Sequence, residues 1–178
     1  MGFGVREFEL ALMHRMRDLN PERVEDALTD MDVTRADLRS AHAHWTRILH
    51  VRPGMGALRT ALGAPRERTT RPVGSLTCTM ARWPLPAWPE LVYEALLGPG
   101  GELWHQWLVR PAGELTVSFD GLLPWSCVVA DVGTSFPRST QQEGSAPHHW
   151  VVDFTHGGAD YRARFVYGLL QRVDTVQR

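Results

Sequence analysis

The stretch HHWVVDFTHGGADYRARFVY (residues 148–167) decides the fold class of this chain. Two runs of alternating residues flank Gly157 and Gly158, and glycine readily adopts the positive φ that both central positions of a two-residue hairpin turn require. With this turn, Trp150 faces Phe165, and the aromatic and aliphatic side chains of both runs share one face. A slip of one residue would destroy this separation. The sequence therefore predicts an antiparallel β-hairpin in a single register.

The other face of this hairpin carries charge. Asp153 lies opposite Arg162, a cross-strand ion pair that contributes under about 1 kcal/mol when it is exposed. At the open end, His148 faces Tyr167 at the edge of the aromatic face. Because His148 and His149 are adjacent on a strand, they point to opposite faces and cannot both bind one metal ion without distortion. We therefore expect no metal site here.

Alternation and turn residues indicate further strands on both sides of the hairpin. The predicted strands cover about 74–83, 103–110, 115–121, 125–132, 148–155 and 160–173. Gly168 is expected to bend the last of them, which is typical of a strongly curved sheet. Pro89 and Gly98 bound an apolar run that predicts one short helix near 89–97. The polar stretch 137–147 predicts a long loop.

The first third of the chain has helical periodicity and helix-capping residues. Asn20 is expected to cap a helix whose first position is Pro21, where a missing N–H costs nothing. Thr34 caps the next helix, and Asp37 three positions later completes a capping-box arrangement. The polar stretch 64–72 then predicts a connector to the β-rich part.

Together these patterns predict an α+β fold. Its parts are N-terminal helices (about 5–62) packed on a curved antiparallel β-sheet or barrel-like cup (about 73–173), with the short helix near 89–97. We expect a single domain over residues 1–178, in which a helical cap (1–63) covers a β-rich body (73–178).

Composition excludes several classes of protein. The chain has 178 residues and a net charge of −1, so nothing attracts it as a whole to nucleic acid or to an acidic membrane. Its apolar runs fall short of the roughly 18 residues that span a bilayer, and its N-terminus does not resemble a secretory signal. Cys78 and Cys127 lie singly in apolar, strand-like runs, as reduced buried thiols do. We expect a cytoplasmic protein.

Seven tryptophans are many for a chain of this length. Rings on the inner face of a curved sheet either fill the core or line an apolar pocket. The second possibility predicts a pocket for an apolar small molecule. Its predicted ligand-binding residues are Trp104, Trp107, Phe119, Trp150, Tyr167 and His148.

His105 is the candidate catalytic residue. It lies in the first strand of a hairpin expected between residues 103–110 and 115–121. A bulge at Gly113 in the turn of this hairpin would bury His105 among apolar side chains, where its charged form is disfavoured. A tight turn would instead set it opposite Asp120, as a carboxylate-oriented imidazole. In either register we assign His105 as a general acid or base assisted by Asp120 or Tyr161, with no cofactor and no metal.

Three functions fit this sequence. The first is a small-molecule-binding protein, which could be a cofactor-independent lyase, isomerase or cyclase acting on an apolar metabolite. The second is a non-catalytic interaction or accessory protein, since no known catalytic motif is present. The third is a DNA-binding regulator that acts through the N-terminal helices. Residues 1–70 carry eleven Arg against ten Asp and Glu, which disfavours nucleic acid as a partner. A homodimer is left open.

Overall fold

The computed structural model describes residues 2–111, 113 and 115–177 of the chain. The helices in these residues are α1 (Val5–Met16), α2 (Pro21–Asp30), α3 (Arg35–Val51), α4 (Met55–Leu62) and α5 (Val129–Ser135). The strands are β1 (Glu67–Val73), β2 (Leu76–Pro84), β3 (Val92–Leu97), β4 (Leu103–Val109), β5 (Thr140–Glu143), β6 (His149–His156), β7 (Ala159–Val166) and β8 (Leu169–Val176). A short 3-10 helix covers Phe119–Gly121.

The strands form two antiparallel sheets of four strands each. The first sheet has the order β1-β2-β3-β4 and the second the order β5-β6-β7-β8, so every strand pairs with its neighbour in the chain. Neither described sheet closes into a barrel, and the single curved cup of the prediction is replaced by two open sheets. The α+β class itself is confirmed.

The helix starts follow the capping residues that the sequence predicts. The Asn20 side chain accepts a hydrogen bond from the backbone N–H of Arg23, and Pro21 is the first residue of α2. At α3, the Thr34 hydroxyl accepts from the backbone N–H of Asp37, whose carboxylate accepts in return from the backbone N–H of Thr34 at 2.8 Å. These bonds satisfy N–H groups that have no partner within the helix.

The β6–β7 hairpin has the predicted register. Trp150 pairs with Phe165 and Asp153 with Arg162 across the Gly157–Gly158 turn. The Asp153 carboxylate accepts from the guanidinium of Arg162 at 2.7 Å, so the predicted ion pair is confirmed.

Four predicted elements in the rest of the β-rich part are corrected by the structure. Residues 64–72, expected as a connector, contribute the exposed edge strand β1, and the loop 137–147 contains the short edge strand β5. The predicted strand 160–173 is two strands, because Gly168 lies in the turn between β7 and β8 and has a φ of +76°. The predicted helix near 89–97 is strand β3.

The predicted strands at 115–121 and 125–132 do not form. The backbone N–H of Leu115 donates to the carboxylate of Asp131, and that of Val117 donates to the hydroxyl of Ser135. These side chains lie on α5, so the segment that precedes the 3-10 helix binds a helix and not a neighbouring strand. The hairpin expected between strands 103–110 and 115–121 is therefore absent, and both registers considered for His105 were wrong.

Two hydrophobic clusters hold these elements together. In the first, Phe8 of α1 packs edge-on against Trp45 of α3 and Tyr93 of β3, with ring centroids 4.9 Å apart in both cases. The second cluster lies between the β6–β7–β8 strands and α5. The β7–β8 turn reaches from the second sheet into the first cluster, where Tyr167 is buried. This turn joins the two sheets, since the backbone N–H of Leu108 in β4 donates to the carbonyl oxygen of Tyr167 at 2.7 Å.

The structure bears on two further expectations. Cys78 and Cys127 are both buried and unbridged, as the sequence predicts. Among the described residues, the helices are all too short or too polar to cross a lipid bilayer.

Candidate functional site

A pocket of about 410 Å³ opens where the two sheets meet. One wall is the start of β4, and the other is the start of β6 with the loop that leads into it. Side chains that line it include Trp104, His105, Gln106, Glu143, His148 and Trp150. Its volume lies within the range of about 300 to 1,000 Å³ that is usual for small-molecule sites. The pocket thus brings together four of the nine predicted site residues.

His105 forms part of the aromatic wall of this pocket. Its ring lies 5.3 Å from that of Trp107 on the same strand and 5.4 Å from that of Trp150 on β6, measured between centroids. The two indoles are themselves 5.8 Å apart. His105 pairs with Leu96 of β3 and not with Asp120, so its partners are rings and no carboxylate orients it in the way the sequence suggested.

Glu94 fixes one of these indoles in place. Its carboxylate is nearly fully buried, accepts from Nε1 of Trp107 at 2.9 Å and forms an ion pair with Arg82 at 2.7 Å. A buried carboxylate needs such partners because the charged group has left water. Trp107 therefore has a defined position behind His105.

Trp104 stands at the mouth of the pocket with 38% of its surface exposed. Its indole N–H donates to the carboxylate of Glu102 at 3.1 Å. The ring lies directly over Gly98, where an added Cβ would come within 2.5 Å of the indole. A glycine at this position therefore leaves the space that the Trp104 ring occupies.

A chain of polar groups leads from the core to the pocket. The buried hydroxyl of Tyr93 donates to Oε1 of Gln106. The amide nitrogen of Gln106 then lies 3.4 Å from Nε2 of His148. Because an amide NH₂ can only donate, this arrangement assigns an unprotonated Nε2 to His148, and the proton of the neutral ring to Nδ1.

Burial keeps His148 neutral near physiological pH. Removal from water, followed by the positive charge of nearby Arg15, lowers the pKa of His148 to about 4. Its ring stacks on that of Tyr167 with 4.5 Å between centroids, which is the pairing that the hairpin register predicts. Burial raises the pKa of Tyr167 to about 12, so this phenol keeps its proton.

The loop before β6 has little freedom. His148 has a φ of +65°, in the left-handed region that L-residues rarely adopt. Gly144 donates its backbone N–H to the carbonyl oxygen of His149 at 2.8 Å, and a Cβ there would come within 2.6 Å of the His149 side chain. Strained backbone of this kind persists only where the surroundings hold it.

Three predicted site residues lie elsewhere. Phe119 lines a second pocket of about 540 Å³ and stacks on His156 with 4.6 Å between ring centroids. The Tyr161 ring is also 4.6 Å from Phe119, and Asp120 is exposed in the same 3-10 helix. His105 is thus not brought together with Asp120 or Tyr161, the two residues expected to assist it. Trp107 and Tyr167 are not among the residues that line the first pocket, but they pack against His105 and His148, which do line it.

The sequence did not point to two polar residues of the site, Gln106 and Glu143. Gln106 follows His105 on β4 and connects the buried Tyr93 to His148. Glu143 lies in the segment expected to be a loop. Neither residue carries a local signal, because its place at the pocket depends on how the two sheets pack together.

The pocket offers imidazole, indole and amide groups together with the carboxylate of Glu143. His148 offers a lone pair at Nε2, His105 is a second imidazole, and Trp104 and Trp150 offer apolar ring faces. Nε1 of Trp150 and Nε2 of His149 are buried without a hydrogen-bond partner among the described residues. Among all the residues that the structure describes, no three His, Cys, Asp or Glu side chains are grouped so that they could hold a metal ion.

Comparison with known proteins does not assign a family. No protein-family model matches the chain, and no curated protein matches it. Among solved structures, it is similar to a Streptococcus mutans protein proposed to be a beta-lactamase inhibitor. The two chains are 14% identical, with 70% of this chain and 83% of the other covered and a TM-score of 0.31. Since this similarity is too low to transfer a function, the site must be interpreted from its own residues.

Proposed function

We propose that this protein binds a small, flat and mainly apolar molecule in the pocket between the two sheets. The observation that carries the proposal is the meeting of Trp104 and His105 from β4 with His148 and Trp150 from the β6 side around one open cavity. Indole and imidazole faces favour a flat ligand, because stacked rings gain contact area and little conformational entropy is lost.

His148 gives this ligand an orientation. Its Nε2 lone pair meets only the long 3.4 Å contact from Gln106, so a ligand hydroxyl or N–H can donate to it at shorter range. The low pKa of His148 keeps this lone pair free of a proton at pH 7. We therefore expect the ligand to carry one hydrogen-bond donor on an apolar ring.

Titration with 2-naphthol tests the binding proposal, and naphthalene is its matched control without the hydroxyl. The seven indole N–H signals of the ¹⁵N-tryptophan-labelled protein are assigned by Trp→Phe variants. We expect 2-naphthol to shift the Trp104 and Trp150 signals saturably, and naphthalene to bind more weakly. If neither compound moves these two signals, the proposal is wrong.

We further propose that His105 acts as a general base on a bound ligand, as in a cofactor-independent isomerase, lyase or cyclase. The support is its half-buried imidazole on the wall of the pocket, where a positioned base can accelerate proton removal from a bound ligand. Asp120 and Tyr161 are not retained as its helpers in this proposal, because Tyr161 packs against Phe119 and Asp120 lies in the same 3-10 helix as Phe119.

A simple proton-abstraction substrate tests this role. When a base removes the C3 proton of 5-nitrobenzisoxazole, its N–O bond breaks and a coloured cyanophenolate forms without any cofactor. We expect saturable turnover that His105→Ala abolishes without unfolding the protein, whereas His50→Ala, at an exposed position on α3, leaves it unchanged. Equal turnover by the two variants would remove the assignment of His105.

The non-catalytic interaction protein remains the second candidate. An open cavity of several hundred Å³ favours a ligand, whereas a filled interior would have favoured a role through the surface alone. A homodimer and a cytoplasmic location stay predictions. DNA binding through α2 and α3 is not adopted, because the charge of the N-terminal helices is nearly balanced.

A further inference from the structure

A separate, smaller cavity of about 260 Å³ lies near the end of β4, whereas the pocket at His105 lies near its start. Its walls are the start of α2, the segment between β2 and β3, and the segment after β4, and they include Arg23, Trp88, Glu90, Arg110 and Trp125. Its volume is just below the usual range of about 300 to 1,000 Å³ for ligand sites, which limits a ligand to about one ring.

Two guanidinium groups give this cavity a positive character. Arg23 lies over the Trp125 ring, with its central carbon 4.7 Å from the ring centroid. Arg110 is mostly buried and forms an ion pair with the fully buried Asp131 at 3.1 Å. A planar guanidinium that is already stacked or paired is pre-organised for a carboxylate, since little side-chain entropy remains to be lost on binding.

The aromatic walls add apolar faces and an unused donor. Trp88 and Trp125 meet edge-on, with 5.5 Å between ring centroids. Trp88 is 5% exposed, and its indole N–H has no acceptor among the described residues. An unsatisfied buried donor is costly, so an acceptor atom in the cavity would be stabilising.

The Trp125 side of the cavity is held in an unusual conformation. Trp125 has a φ of +65°, which is rare for a bulky residue. Its indole N–H donates to Oε1 of the fully buried Gln171 at 3.1 Å, and its backbone N–H donates to the carbonyl oxygen of Leu170. The ring is thus fixed by its surroundings in the position where it receives Arg23, as strained residues at functional sites commonly are.

A carboxylate of the protein itself already lies near Arg110. Glu90 is 84% exposed, and its carboxylate lies 3.5 Å from the Arg110 guanidinium, which is long for an ion pair. Such a long, exposed contact contributes little and is readily exchanged. A ligand carboxylate that enters the cavity could therefore replace Glu90 at Arg110.

We propose that this cavity is a second ligand site, which binds a small aromatic carboxylate between Arg23 and Arg110 with its ring against Trp88 and Trp125. The carboxylate would exchange with Glu90 at Arg110 and supply the acceptor that the Trp88 indole lacks. The site is independent of the pocket at His105, because the two share no lining residue.

Sodium benzoate tests this proposal, with benzamide as a neutral probe of nearly the same shape. In the ¹⁵N-tryptophan-labelled protein at constant ionic strength, benzoate should shift the Trp88 and Trp125 indole signals saturably and leave that of Trp104 in place. Because charge-assisted bonds carry the recognition, benzamide should bind at least about tenfold more weakly. Equal binding of the two probes, or no shift of Trp88 and Trp125 with benzoate, would overturn the proposal.

Two variants and a control separate the site from a general charge effect. Arg23→Gln should weaken benzoate binding about tenfold, whereas Glu90→Gln should strengthen it by removing the competing carboxylate. Arg59→Gln, which removes an exposed guanidinium from α4, should leave binding unchanged. Unchanged indole signals of the other tryptophans verify that each variant is folded. Benzoate binding that survives Arg23→Gln at full strength would contradict the proposed site.

Discussion

Single buried polar residues determine how the segments without regular structure are held. Asp131 is fully buried and accepts from the guanidinium of Arg110 and from the backbone N–H groups of Leu115 and Val128. This one carboxylate joins the chain after β4 to the start of α5. From the sequence it was only one residue of a supposed strand, because its partners lie up to 21 positions away.

Replacing Asp131 should therefore be severe. Asp131→Ala leaves the mostly buried Arg110 and two backbone N–H groups without their acceptor, and we expect the free energy of unfolding to fall by about 3 to 5 kcal/mol. Denaturant unfolding measures this loss. Asp153→Ala, at the half-exposed pair with Arg162, is the control and should cost less than about 1 kcal/mol. A comparable effect of both substitutions would contradict the role given to Asp131.

The pH dependence of stability should reveal the neutral His148. Its pKa is about 4 in the folded protein and close to 6.5 when unfolded. Below pH 6.5 the unfolded state therefore takes up a proton that the folded state refuses, and stability falls until about pH 4. The expected loss is on the order of 2 kcal/mol, since His148 keeps part of its exposure to solvent.

The variant His148→Asn isolates this contribution, because asparagine tolerates the left-handed backbone and does not titrate. Unfolding free energies measured from pH 7.5 to 4 should fall less steeply for the variant than for the native protein. His14 and His42, whose pKa values are also lowered by burial, contribute equally to both proteins. Identical slopes would show that His148 is not held neutral by the fold.

At the scale of the elements, turn and capping residues made the structure predictable where local chemistry decides. Gly157 and Gly158 gave the register of β6 and β7, and the caps at Asn20 and Thr34 gave two helix starts. The run that became β3 was misassigned as a helix because Tyr93, Glu94 and Ala95 are buried in succession, so the strand shows no alternation.

Gly168 lies in the turn between β7 and β8, at the point where this turn packs closely against β4 and joins the two sheets. Its φ is +76°, and a Cβ there would lie 2.9 Å from the carbonyl oxygen of Leu108 and 3.1 Å from Cβ of Trp107. Gly168→Ala should therefore lower the free energy of unfolding by roughly 2 to 3 kcal/mol, through backbone strain and steric overlap together.

Gly158→Ala is the matched control for Gly168. Its φ is +82° but its Cβ would meet nothing within 4 Å, so only the backbone strain of about 1 kcal/mol should remain. Thermal or denaturant unfolding compares the two variants. Equal losses would mean that the close approach of the β7–β8 turn to β4 does not matter for stability.

The candidate site results from the way in which the two sheets meet. The sequence predicts Trp104, His105, His148 and Trp150 as site residues, and these four line one pocket. It could not separate these residues from Phe119, Asp120 and Tyr161, since membership of one pocket or the other depends on contacts between distant parts of the chain. The sequence predicts one curved sheet or cup, whereas the structure has two sheets with a pocket at their junction.

Intermolecular nuclear Overhauser effects from unlabelled 2-naphthol to the isotope-labelled protein test this account most directly. The ligand's ring protons should give effects to the side chains of both Trp104 and Trp150, which lie on different sheets. Effects to Phe119 and Phe136 of the second pocket instead, or none to either tryptophan, would contradict a ligand site between the sheets.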